Sequence, residues 1–258
     1  MSIALHTVFI LNENIKWLEE FIMYYIHLGI EHFYLYDNEG SSGGDGTQSH
    51  NKYGFEASTT SSAENRNIFN NILLKYSKYI THIMWQPIDN NKIIYGQKES
   101  ILECINKYGH LHEWMCFVDI DEFIFSEKDI KLGEYLNSLG KNVSCVKLIQ
   151  KKFLDRFLTK EKYITQEYAS INNFKIGTEW APKNIIRCKD FIKLRDIHNI
   201  YTKNTTIVPH TDVLRFNHYN VNDKQIKWMV GFYKLRSPVT INGIDDGMKR
   251  YKFLFESP

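Results

Sequence analysis

Trp114-Met115-Cys116-Phe117-Val118-Asp119-Ile120-Asp121-Glu122-Phe123-Ile124 sets five apolar residues against an acidic triplet. The apolar run has the length and composition of a buried strand, and the polar residues mark its carboxyl end. In an extended segment, residues two apart point to one side, so Asp119 and Asp121 are expected to converge. Converging carboxylates repel each other unless a cation neutralises them. A hard divalent ion, Mn²⁺ or Mg²⁺, suits oxygen ligands and keeps positions open for phosphate oxygens. Such an ion would offset charge growing on a departing nucleoside diphosphate. On a solvated face an Asp-x-Asp triplet is commonplace; here Val118 and Phe123-Ile124 enclose it in apolar sequence.

Working outward, the preceding chain alternates strand and helix. Thr7-Val8-Phe9-Ile10-Leu11 reads as a strand, with Asn14 as the cap of a helix from Ile15 to Leu28. That helix has apolar residues at Trp17, Leu18, Phe21, Ile22, Tyr25 and Leu28, and Gly29 ends it. Glu31 to Tyr36 is a second strand, followed by a turn-rich loop from Asp37 to Gly46. Glu64 to Lys78 reads as helix, Ile80 to Trp85 as strand and Tyr95 to Tyr108 as helix. Strands separated by such helices imply βαβ crossovers and a mostly parallel central sheet flanked by helices, an α/β fold. Ligands of such sheets sit beyond the carboxyl ends of strands. Asn12, Asp37, Asn38, Asp119 and Asp121 occupy those places.

Past residue 140 the pattern loosens. Cys145 to Ile149 and Leu214 to Phe216 are strand candidates, and Lys224 to Leu235 a helix candidate. One domain over 1–258 is expected, with 1–125 as a nucleotide-binding half and 126–258 as an acceptor-side half. A distant ligand should complete the cation site. His218, just past an apolar run, is the first candidate and His198 the rival, while Lys224 at a helix start could reach a phosphate. The other histidines, His6 among them, read as structural or surface residues.

Composition sets limits. The 258 residues are 43% hydrophobic, enough for a sizeable core. The 32 basic and 30 acidic residues give a net charge of +2, so no global field points to nucleic acid. The four cysteines form no CxxC pair and lack zinc-ligand spacing; packed, reduced thiols are expected. No stretch reaches membrane-span length and the N-terminus lacks a signal-peptide pattern. The expectation is a cytoplasmic protein, working at the inner face of a membrane if its acceptor is lipid-linked.

The chain resembles glycosyltransferase family 92 and the related family-2-like proteins. The resemblance is carried by Asn12-Glu13, Trp17-Leu18-Glu19-Glu20-Phe21, Tyr24-Tyr25 and Leu28-Gly29-Ile30-Glu31-His32-Phe33-Tyr34-Leu35-Tyr36-Asp37-Asn38. Gln97, Cys104 and the block from Glu113 to Phe123 continue it. Lys183-Asn184-Ile185-Ile186-Arg187, His198 and His218-Tyr219 echo looser C-terminal blocks, and residues 151–182 diverge. The resemblance implies a GT-A fold, a UDP-sugar donor such as UDP-galactose, Mn²⁺, a glycan acceptor and inversion at the anomeric carbon. It implies that Asn12, Asp37 and Asn38 line the nucleoside pocket, that Gln97 lies near the donor, and that Asp119 and Asp121 hold metal and diphosphate. Inverting transfer needs a base for the acceptor hydroxyl. Glu179, beside Trp180 as a stacking surface, is the candidate, with Asp155 and Asp212 in reserve.

Two other classes of function fit the sequence less well. A sugar nucleotidyltransferase would carry a glycine-rich basic loop after its first strand, where this chain has Asn12-Glu13-Asn14. A non-catalytic glycan-binding module would account for the 16 Tyr and 16 Phe but leaves the paired carboxylates without purpose.

Overall fold

The computed structural model describes residues 1–41, 61–153, 163–171, 181–219 and 243–256. Strand β1 (Ile3–Phe9) is buried along its whole length, His6 and Thr7 included, as a strand covered on both faces must be. Helix α1 (Leu11–Leu28) follows at once. It begins four residues before the expected start, and its cap is Ile10, not Asn14. Asn14 instead accepts the Ile10 N–H through its side chain at 3.3 Å, from inside the first turn. Gly29 ends the helix at φ +103°, with its N–H on Ile26 O and the Ile30 N–H on Tyr25 O. Only glycine takes that backbone readily, so this stop is fixed by sequence.

The expected αβ succession continues with β2 (His32–Asp37), α2 (Ala63–Lys75), β3 (Ile80–Met84) and the small hairpin β4 (Ile88–Asp89) and β5 (Lys92–Ile93). Next come α3 (Gln97–Tyr108), β6 (Trp114–Phe117), β7 (Glu122–Phe125), α4 (Leu132–Ser138), β8 (Val143–Leu148) and β9 (Gln150–Lys152). The chain continues with α5 (Ile164–Glu167), β10 (Ser170–Ile171), β11 (Lys183–Arg187), β12 (Phe191–Asp196), β13 (Asn199–Thr202), β14 (Thr205–Ile207), β15 (Arg215–His218) and β16 (Gly243–Ile244). A 3-10 helix, Gly247–Leu254, closes the described chain. The helix expected from Lys224 lies outside the described residues.

The large sheet runs β14-β8-β11-β6-β1-β2-β3. Its pairings are parallel from β6 through β1 and β2 to β3, and between β8 and β14. Strand β11 alone runs against its two neighbours. Apolar residues of α1 and α2 pack on one face, with Phe21, Tyr25 and Phe69 at the centre. The other face is covered by α3 through Ile101, Cys104 and Ile105 and by the β12–β13 hairpin through Leu194 and Ile200. This is the expected mixed α/β architecture, with a mostly parallel central sheet and cover on both sides. All four cysteines are buried free thiols, and no described helix is long and apolar enough to cross a membrane.

A second, three-stranded sheet, β7-β15-β9, begins where the chain leaves the first. Helix α1 fixes that junction: Tyr25 donates to Glu122 O at 2.9 Å and accepts from Ile124 N at 3.0 Å, while Tyr24 donates to Ile124 O at 2.7 Å. Replacing Tyr25 by Phe strands a buried carbonyl and a buried N–H. A loss of about 1–3 kcal/mol is expected, measurable as a lower urea midpoint with an unchanged denaturant slope.

Candidate active site

The two aspartates lie on the link between the sheets, after β6 and before β7. Residues 118–121 lead into a turn and not the extended segment expected from sequence. Asp119 and Asp121 therefore do not converge by two-residue alternation, and each carboxylate has its own surroundings.

Asp119 faces α3 and β11. Gln97, first residue of α3, donates its amide to Asp119 Oδ1 at 2.7 Å. Gly96 makes that placement sterically accessible: at φ +58°, a Cβ there would lie 2.7 Å from Pro87 Cγ. Lys183 Nζ sits 2.7 Å from Asp119 Oδ2 and 2.9 Å from Glu122 Oε2, and Glu122 Oε2 also accepts the Asp119 N–H at 2.8 Å. Lys183 is there because β11 pairs antiparallel with β6, Asn184 opposite Phe117, so the strand starts beside the residues that follow β6.

Asp121 faces the small sheet. Its Oδ2 is buried, makes no hydrogen bond and lies 3.6 Å from His218 Nε2. The β7–β15 register, Glu122 opposite His218, delivers that imidazole. His218 Nδ1 lies 3.3 Å from Gln150 Oε1.

Burial works against every charge here, and the partners decide the outcome. Burial alone would raise Asp121, but His218 and Lys183 bring it below the usual carboxylate range. Burial would lower His218, yet Asp121 and Glu122 raise it. Burial would lower Lys183 too, and Asp119 and Glu122 hold it above its ordinary value. Burial raises the Glu122 carboxyl despite Lys183. Lys183 thus bridges Asp119 and Glu122, while Asp121 has His218 beside it.

The remaining expected residues are distributed more widely. His198 is at the tip of the β12–β13 hairpin, with Nδ1 3.1 Å from Pro182 O, and not beside Asp121 as His218 is. Asp37 is fully buried at the end of β2: Oδ2 pairs with Arg66 at 2.6 Å, and Oδ1 has no hydrogen bond. Asn38 is buried as well, donating to Trp85 O at 2.7 Å and Ile94 O at 3.0 Å, with its own Oδ1 unbonded. Asn12 stands in α1, not in a loop after β1, and accepts from Asn65 at 2.8 Å. Asp212 is an exposed partner of His210 at 3.2 Å. Glu179, Trp180, Lys224 and Asp155 lie outside the described residues. Among the described residues, no cluster of three or more His, Cys, Asp or Glu is arranged to hold a metal.

The sequence assigns no site role to Lys183, which only heads a loosely matching block, or to His6, which reads as structural. A lysine heading the apolar run Ile185-Ile186 was the available signal for the first. His6, buried in β1, lines a small cavity behind Asp119 together with Gln97, Phe117, Lys183 and Ile197. Its Nε2 is 3.0 Å from Ser100 Oγ, which donates onward to Gln97 O at 2.8 Å, so Nε2 carries the proton. Burial, then the Lys183 charge, pushes His6 down to about 3.

Two outcomes follow. Lys183→Met leaves buried carboxylates without their cation and should cost about 3–5 kcal/mol at neutral pH. In a denaturation series that deficit should shrink on acidification. His6, neutral when folded, must bind a proton on unfolding below pH 6.5. Its contribution to stability is therefore complete above 6.5 and is lost as pH falls towards 3, at about 1.4 kcal/mol per unit. His6→Leu should remove that component from a stability–pH profile.

Comparison with known proteins bears on this arrangement. The sequence model of glycosyltransferase family 92 matches residues 60–250, the span that holds Gln97, Asp119, Asp121, Lys183 and His218. No curated protein matches the sequence. Among solved structures, the chain is similar to S. aureus TarS 1–349, at 11% identity and a TM-score of 0.45, over 96% of this chain and 68% of that one. The family match covers well over half of the molecule: the chain belongs to glycosyltransferase family 92.

Proposed function

We propose that this glycosyltransferase moves a sugar from a UDP-sugar, galactose being the first to test, onto a glycan acceptor with inversion and with Mn²⁺ or Mg²⁺ as cofactor. The observation that carries the cation is Asp121 Oδ2, a buried carboxylate oxygen without a hydrogen bond, 3.6 Å from His218 Nε2. That separation suits two ligands each about 2.0–2.2 Å from one ion. A metal shared with a nucleotide needs only one or two protein ligands, because phosphate oxygens and water complete its shell. When bound, it would stabilise charge on the departing diphosphate.

The protein's own residues supply the rest. Lys183 and Gln97 hold Asp119 in one orientation, which pre-organises the donor edge. The unbonded Oδ1 atoms of Asp37 and Asn38 are buried acceptors that suit N–H and O–H donors of a nucleoside. These support a nucleoside site near the carboxyl ends of β1 and β2.

Asp121→Ala is expected to abolish Mn²⁺-dependent release of UDP from a UDP-sugar. His218→Ala should weaken Mn²⁺ binding by about 10- to 100-fold, as loss of a metal-site group does. Calorimetry on folded variants gives both answers, and full metal affinity in Asp121→Ala would refute the assignment.

A further inference from the structure

The structure holds His198 in a way that the cation site does not require. The hairpin that carries it turns through Asp196-Ile197-His198-Asn199. Asp196 Oδ1 accepts the His198 N–H at 2.9 Å and the Asn199 amide at 2.8 Å, which stiffens the turn. Asn184, next to Lys183 on β11, donates to the His198 carbonyl at 3.1 Å. The ring is fixed as well. Nδ1 lies 3.1 Å from the Pro182 carbonyl, and a carbonyl only accepts, so Nδ1 bears the proton and Nε2 the lone pair. Among the described residues, Nε2 has no hydrogen-bond partner. The neighbouring Ile197 lines the cavity with Asp119 and Lys183. Burial, then the Lys183 charge, lowers His198 below its ordinary value, against the pull of Asp119 and Asp196.

A half-buried, pre-oriented imidazole with a bare acceptor nitrogen at the donor edge has the attributes of a general base. We propose that His198 Nε2 is the base that takes the proton from the acceptor hydroxyl. The assignment rests on the transferase reading above and replaces Glu179 in that role. As the acceptor oxygen bonds to the anomeric carbon of the donor, its proton passes to Nε2. The bond from that carbon to the diphosphate breaks, and its electron pair leaves with the nucleoside diphosphate. The imidazolium then returns its proton to water.

His198→Asn is the decisive variant, since its side-chain amide can still donate to Pro182 O while nothing replaces Nε2. With the full chain, UDP-sugar and a glycan acceptor, kcat should fall about 100- to 10,000-fold. Thermal stability, and UDP and Mn²⁺ affinity by calorimetry, should stay at wild-type values. In His198→Ala, added imidazole should restore part of the rate. A fast His198→Asn, a loss of rate tracking a loss of Mn²⁺ affinity, or no rescue by imidazole would each overturn the assignment. A wild-type chain that binds UDP yet transfers from no nucleotide sugar would instead remove the transferase reading, and this one with it.

Discussion

The Lys183 ammonium, wedged between Asp119 and Glu122, is the contact on which the rest of the site depends. It joins the large sheet to the first residue of the small one, because Lys183 begins β11 while Glu122 begins β7. Without it, three acidic groups would crowd one turn in a buried setting, and at least one would have to take up a proton. With it, the turn keeps a defined shape, secured further by the Asp119 N–H on Glu122 and by the Tyr25 hydroxyl on the Glu122 carbonyl. The tyrosine bonds extend this constraint into α1, so packing of the main core and geometry of the donor edge are mechanically one unit.

Two histidines, His198 and His218, stand near the same acidic turn and differ in what holds them. His218 belongs to a strand whose register is set by backbone pairing with β7, and it faces Asp121. His198 belongs to a hairpin tip set by side-chain bonds to Asp196 and Asn184, and it faces Lys183. Burial lowers both imidazoles; carboxylates outweigh it at His218, whereas at His198 the Lys183 charge adds to it. Position in the fold thus separates the electronic character of two chemically identical side chains.

The fold was largely legible because hydrophobic period and glycine stops agree along the first 125 residues. The spacing of Trp17, Leu18, Phe21, Ile22, Tyr25 and Leu28 gives α1, and Gly29 ends it. Its start was not legible: Leu11 serves both a strand-like run and a helix, and tertiary packing chose the helix. The acidic turn was found from residue type and context, but its shape was misjudged because two residues of separation were read as extended backbone. The role of Lys183 was hidden for a topological reason. Site residues are expected after strands, and in the reversed β11 the residue at the start of the strand reaches that edge. His6 escaped because a single histidine in an apolar run carries no sign of its partner ninety-four residues away.

That reversal has a consequence for how the molecule can change. Because β11 runs against its neighbours and the next hairpin folds back beside it, one short contiguous stretch brings both Lys183 and the His198 turn to the donor edge. The two αβ units built on β1 and β2 contribute to this edge from elsewhere in the chain. Sequence drift confined to that stretch could retune charge and proton affinity together while leaving the parallel scaffold intact. Charge and proton acceptor therefore travel together on one short segment, apart from the parallel strands that carry the core.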